Sequence, residues 1–274
     1  MKTSTATSVF VNYPLHDAID QVIQAGFEGV DIWCGRPHLF RKDYSPDAIQ
    51  RLGKKLQKSG LTPVSLMPAF YRYPFSLSSP NDVIRKDSIE YLKDCITNAV
   101  LIGAKQVLVV PNHSLVGQTI QDAQQRFVDS LRQVSDIAEK QSIRLGLEVL
   151  YPQLSDYLCS SEAALHVMAE IGSDCLGVVM DTGHLNLSGE NPENALKNLG
   201  DLLLQVHIND NDSRQQQNAI PGEGTFNFSG FIQLLHKYEY DGFLSLELGW
   251  GYTLDPYPAV CSALERLHSL IQDQ

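Results

Sequence analysis

Four ionisable side chains interrupt runs that are otherwise apolar. Glu148 lies in LGLEV (145–149), Asp181 ends LGVVMD (176–181), His207 lies in LLQVHI (203–208) and Glu247 lies in FLSLEL (243–248). One such carboxylate has a plain explanation as a turn cap, and one such histidine as a satisfied core residue. Four in succession do not. A desolvated, unpaired carboxylate is costly, and no Lys or Arg stands beside any of the four in sequence. A divalent cation is the economical counter-charge, with Glu148, Asp181, His207 and Glu247 as its ligands. Three carboxylates and an imidazole form a hard-to-borderline donor set, which makes Mn²⁺ the expected ion, ahead of Co²⁺, Mg²⁺ and Zn²⁺.

Such a cation, with coordination positions left open, chelates a carbonyl and its neighbouring hydroxyl and polarises the carbonyl. The proton on the hydroxyl-bearing carbon becomes acidic, and a cis-enediolate forms. Glu148 and Glu247 flank that carbon as an acid/base pair. Returning the proton to the other face is epimerisation, and returning it to the adjacent carbon is aldose–ketose isomerisation. Expulsion of a leaving group from the same intermediate, as in a dehydratase or lyase, stays open, as does a barrel that binds sugar without turnover.

Residues at the ends of successive runs need a scaffold that brings those ends together. Eight strand-like runs alternate with helical patterns: 7–12, 27–33, 61–67, 104–110, 143–149, 176–181, 203–208 and 243–248. Helix signals lie between them. Leu15, Ala18, Ile19, Val22 and Ile23 share one helical face before Gly26. Ser45-Pro46 and Asn191-Pro192 are cap-plus-proline starts. Strands alternating with helices imply parallel pairing through right-handed crossovers. Eight units in 274 residues predict a (β/α)8 TIM barrel as one domain over 1–274, with reacting groups at the carboxyl ends of the strands. A doubly wound sheet is the runner-up, but no GxGxxG or GxxxxGK[ST] loop follows the first run. Gly183 is expected to let the chain turn sharply after Asp181.

Charge and composition narrow the partners. A net charge of −11 without any basic run argues against nucleic acid. No apolar stretch of about 18 residues predicts a membrane span, and the start MKTSTATSVF lacks a signal-peptide core. Five scattered cysteines without a CxxC pair read as reduced thiols, so a cytoplasmic setting is expected. The Asp-Thr-Gly at 181–183 has no second copy to form an aspartic-protease dyad.

The pattern LEV…MDTGH…VHIND…LEL resembles the sugar isomerase/epimerase superfamily of xylose-isomerase-like barrels, over nearly the whole chain. DIWCGRPHLF (31–40) and IPGEGTFNF (220–228), leading to LSLELGWGYTLDPY, are most similar to its fructoselysine 3-epimerase group within the ketose 3-epimerases. The resemblance implies a small-molecule sugar substrate, metal-ligand roles for Glu148, Asp181, His207 and Glu247, and acid/base roles for the two glutamates. It places substrate contact on His184 and, one residue out of register, on Arg214. Where ketose 3-epimerases often carry Pro and Glu, this chain has Val149 and Leu154. The endonuclease branch of the superfamily would need more histidines and a basic face.

Further candidates follow other strands. Trp33, with Arg36 and His38, is expected at the pocket, as are His113 after the fourth run and Glu223 in Pro-Gly-Glu-Gly (221–224). Trp250 and Tyr252 are candidate wall residues. The aromatic stretch 70–75 is a candidate lid or dimer contact, and a homo-oligomer is expected.

Overall fold

The computed structural model describes residues 1–70 and 75–272. Eight parallel strands close in sequence order: β1 (Lys2–Ala6), β2 (Gly29–Trp33), β3 (Thr62–Met67), β4 (Gln106–Val109), β5 (Arg144–Glu148), β6 (Leu176–Asp181), β7 (Leu203–Ile208) and β8 (Phe243–Leu246). Closure is made by β1 on β8, with Lys2 opposite Phe243 and Thr5 opposite Leu246. The outer ring is α1 (Leu15–Ala25), α2 (Pro46–Ser59), α3 (Asp82–Ile102), α4 (Ile120–Lys140), α5 (Ser161–Ile171), α6 (Thr182–Ser188), α7 (Pro192–Leu199), α8 (Phe228–Lys237) and α9 (Pro256–Gln272). This is the (β/α)8 barrel that the alternation predicts.

Local signals explain the helix ends. The Ser45 hydroxyl accepts from Ala48 N at 3.3 Å with Pro46 at the first helical position, and the Asn191 carbonyl accepts from Asn194 N at 3.0 Å ahead of Pro192. The α1 face of Leu15, Ala18, Ile19 and Val22 is fully buried against the barrel.

The first strand departs from its sequence reading. The apolar run 7–12 is not a strand: Thr7–Phe10 forms a 3-10 turn, and β1 is the polar KTSTA before it. The reason lies in the barrel interior, which is polar at this level. Asp31 on β2 is fully buried and accepts hydrogen bonds from Ser4 Oγ (2.9 Å), Ser65 Oγ (2.6 Å), Gln205 Nε2 (2.8 Å) and Ser245 Oγ. Gln106 Nε2 in turn donates to Gln205 Oε1 at 2.8 Å. Ser4 is therefore an inward-facing strand residue, whereas Val9 and Phe10 join the core beyond the strand.

Of the aromatic stretch 70–75, residues 71–74 lie outside the described residues. Phe70 and Phe75 are buried around Tyr91, with the Phe75 ring stacked on it at 4.4 Å. Their packing is core packing.

Candidate active site

The four strand-end residues meet. Glu148 ends β5, Asp181 ends β6, His207 is the penultimate residue of β7 and Glu247 follows β8 directly. Each offers a ligand atom, and these atoms all lie within 4.8 Å of one another. His207 Nδ1 is 3.1 Å from Glu148 Oε1 and 3.0 Å from Glu247 Oε2. Asp181 and His207 are almost wholly buried, Glu148 is 5% exposed, and Glu247 is the most open of the four.

The charges are unbalanced. Burial pushes the Glu148 carboxyl above its usual range, against the hydrogen bond and charge of His207. Burial acts likewise on Glu247, but His207 outweighs it and holds that carboxyl low. Burial lowers the His207 pKa, yet its two carboxylate neighbours more than offset this and raise it well above the ordinary value. A proton on His207 is thus the counter-charge of the cation-free cluster. Buried oxygens from three carboxylates and one imidazole nitrogen, with no Lys or Arg paired to them among the described residues, fit a divalent cation.

Asp181 is also a helix cap. Its Oδ1 caps α6 by accepting His184 N at 2.9 Å, and its Oδ2 accepts from Asn209 Nδ2 at 2.7 Å. Gly183 is needed for space rather than for a sharp turn. It has no left-handed φ, and a Cβ there would collide with Asn209 Oδ1. Thr182 Oγ1 seals the same junction by donating to Asn209 O at 2.6 Å.

A cavity of about 420 Å³ opens above the cluster. Glu148, Glu247 and His184 line its base, and Trp33, Met67, Phe70, Leu108, Val110, Leu150, Leu154 and Leu248 form apolar walls. Gln216, Gln217 and Asn218 supply a polar side. The His184 ring lies on Tyr151 at 5.4 Å with its Nδ1 buried and unpartnered among the described residues, so it is a polar atom available to a ligand.

The other sequence candidates divide between the cavity and positions away from it. Trp33 and Trp250 line the cavity. His38 does not: its ring nitrogens bond Thr7 Oγ1, Phe10 O and Tyr13 O within the core. Arg36 pairs with Asp43 and covers the Phe40 ring. Arg214 is exposed on the loop after β7 and outside the cavity lining; the loop turns Gln216 and Gln217 to the cavity instead. His113 is half-exposed, 3.5 Å from Asp156, where it ties the loops after β4 and β5. Glu223 faces outward, accepting from Tyr252 OH at 3.1 Å beside Arg266. Asn209, Tyr151, Gln216, Gln217 and Asn218 went unread in the sequence. None of these carries a local pattern that sets it apart from ordinary loop polarity.

Comparison with known proteins agrees with this architecture. The pattern of the family described as xylose isomerase-like TIM barrel matches residues 19–268. Fructoselysine 3-epimerase of Shigella flexneri is 26% identical over 273 residues, spanning 100% of this chain and 99% of that protein. The crystal structure of a D-tagatose 3-epimerase-like protein superposes with a TM-score of 0.85 at 23% identity, covering 99% of this chain and 97% of that one. An IOLI protein bearing a zinc atom superposes with a TM-score of 0.84 at 21% identity, covering 100% and 99%. With its barrel, its strand-end cluster and this match over most of its length, the chain belongs to the xylose isomerase-like TIM barrel family.

Proposed function

We propose that this isomerase/epimerase acts on a ketose or keto-sugar derivative as a divalent-cation-dependent 3-epimerase, with Mn²⁺ as the preferred ion. The observation that carries the reading is the convergence of Glu148, Asp181, His207 and Glu247 at the base of a cavity. The named epimerase that matches this chain from end to end, and a fold neighbour that holds zinc, support it.

A cation held by these four residues would polarise the substrate carbonyl and offset the charge of the enediolate. The chain's own residues do the rest. Glu148 and Glu247 reach the same His207 nitrogen from different strands, so a substrate carbon above them meets a carboxylate on either side. One removes the proton on the carbon beside the carbonyl, and the other returns a proton to the opposite face. His184, its free Nδ1 braced by Tyr151, orients a hydroxyl or carbonyl oxygen. Trp33 and the leucine-rich walls exclude water from the exchanging carbon.

The test is incubation of candidate ketoses in deuterium oxide with the Mn²⁺-loaded and the chelated protein. Deuterium at carbon 3, lost on chelation, is the expected result. No exchange across a broad ketose panel overturns the reading, and loss of water from the substrate moves it to a dehydratase.

A further inference from the structure

Glu148 and Glu247 divide the barrel mouth unequally. The strands close in sequence order, so between β5 and β8 lie β6 and β7 on one side and β1 to β4 on the other. The short arc carries Asp181, His207 and His184, with Gln216, Gln217 and Asn218 on the loop after β7. The cavity wall on the long arc is different. It is built from Trp33 at the end of β2, Met67 and Phe70 at and beyond the end of β3, and Leu108 and Val110, two residues apart on the run of β4. Ser8 is the one polar side chain of that arc among the described lining residues.

This wall is held in place from behind. The Tyr91 hydroxyl donates to Cys34 O at 2.7 Å and accepts from Ala69 N at 2.9 Å, tying the ends of β2 and β3 together. The Phe70 ring packs on Tyr91 at 5.8 Å. The Trp33 ring stands edge-on to His38 at 5.8 Å, and it lies so close over Gly35 that a Cβ there would collide with it. An apolar surface braced in this way stays open to a ligand instead of collapsing. The volume of about 420 Å³ is in the range that holds a drug-sized ligand.

We propose that the substrate of this site is a ketose carrying an uncharged aryl or alkyl group, with the sugar over the Glu148–Glu247 cluster and the apolar group against the wall formed by Trp33, Met67, Phe70, Leu108 and Val110. The assignment rests on the ketose reading, which sets the position of the sugar. The exchanged carbon lies between Glu148 and Glu247 with its chelating oxygens turned to the cluster, so the rest of the molecule extends over the long arc. Hydroxyls placed there would lose their hydration and find only Ser8 among the side chains. A charged group would fare worse, since no Lys or Arg lines the cavity among the described residues. An aryl or alkyl group loses nothing by leaving water and gains the buried contact.

The experiment measures exchange at carbon 3 on the Mn²⁺-loaded protein for D-fructose and D-tagatose, each free and as its 1-O-benzyl and 6-O-benzyl ethers. The sugars differ at carbon 4, and the ethers cover both ends of the chain. Trp33 and Trp250 are the chain's two tryptophans and both line the cavity, so their fluorescence reports occupancy without turnover. At least one ether should exceed its free parent by about 10–100-fold in kcat/KM, the value of burying one aromatic ring, chiefly through a lower KM. Val110→Thr keeps the shape and puts a hydroxyl into the wall, and should narrow that ratio by about 5-fold. A ratio unchanged in this variant overturns the placing of the group against the wall, because a packing role alone would alter stability and not preference. If Val110→Thr does not fold, the wild-type comparison decides. Free ketoses exchanged as well as both of their ethers overturn the proposal and leave the ketose reading standing. If no compound is exchanged but an ether changes the fluorescence at a concentration about 10-fold below its parent, the ketose reading falls and the apolar assignment stands. No response to the ethers by either measure overturns it.

Discussion

At the scale of single residues, Glu148 and Glu247 stand closest to the chemistry because both reach His207 and both line the cavity. Glu148→Gln keeps the shape and removes the carboxylate to which the proposed mechanism gives the acid/base role. Exchange at carbon 3 should fall by about 10²–10⁴-fold, the usual contribution of a positioned acid or base. Isotope incorporation, with metal content measured alongside, checks this, and near-wild-type exchange would remove Glu148 from the mechanism. Under the proposed cation-dependent reading, His207 would set the pH dependence of cation binding. Its pKa in the cation-free cluster is raised, so near neutrality the ring holds a proton that an incoming cation must displace. Cation affinity should therefore rise with pH toward that raised value and weaken in acid, with proton release on binding. Calorimetry in two buffers of different ionisation enthalpy reads the proton directly. Heats that do not depend on buffer would count against the assignment.

At the scale of elements, the junction of β6 with α6 shows why one carboxylate serves both as a cap and as part of the cluster. Asp181 is held from two sides, by His184 N within its own turn and by Asn209 just after β7. Asn209→Ala should lower cation affinity by about 10-fold, as loss of a partner to a ligand commonly does. Gly183→Ala should act through the same contact, because its Cβ would push Asn209 off Asp181. The double variant should then lose little more than the worse single one. Cation titrations of the three variants test this, and additive losses would separate the two positions. Asp181 was legible in the sequence because VVM makes a carboxylate conspicuous. Asn209 was not, since a polar residue after a strand is what a loop ordinarily contains. Its meaning comes from β6 and β7 lying side by side, with Asp181 opposite His207. Arg214, His113 and Glu223 show the reverse. Each follows a strand closely enough to reach the cavity, but the loop paths decide otherwise, and spacing carries no information about a loop's path.

At the scale of the whole molecule, the barrel is tied through its axis as well as around its wall. Asp31 and its partners Ser4, Ser65, Gln205, Gln106 and Ser245 join six of the eight strands in one buried network. Asp31→Ala leaves several buried donors without an acceptor. It should cost on the order of 3 kcal/mol, the scale of unsatisfied buried polar groups, measured by urea denaturation. A loss below about 1 kcal/mol would mean that water replaces the carboxylate. Cation binding works in the opposite direction. Because the cluster draws one residue from each of four strands or strand ends, Mn²⁺ should raise the melting temperature in a concentration-dependent way, and chelation should reverse it. A melting temperature indifferent to both would argue against a resident cation.

Amino-acid order alone determined the barrel, seven of its eight strands and the four residues of the cluster. Apolar strand-like runs, helix caps and misplaced charges are local features that a chain carries before it folds. The first strand was lost because its residues are mostly polar and the one that faces Asp31 is Ser4, which looks like core material only once Asp31 is known to accept from it. Asp31 and Asp181 are indistinguishable as patterns, each a carboxylate in an apolar run. Tertiary structure alone separates them. Asp31 is surrounded by neutral donors from other strands and needs no cation, whereas Asp181 shares a 4.8 Å cluster with two further carboxylates, offset among the described residues by the His207 ring, Asn209 and a backbone amide. What a buried charge does depends on its neighbours across the sheet, and in a parallel barrel those neighbours lie tens of residues away along the chain.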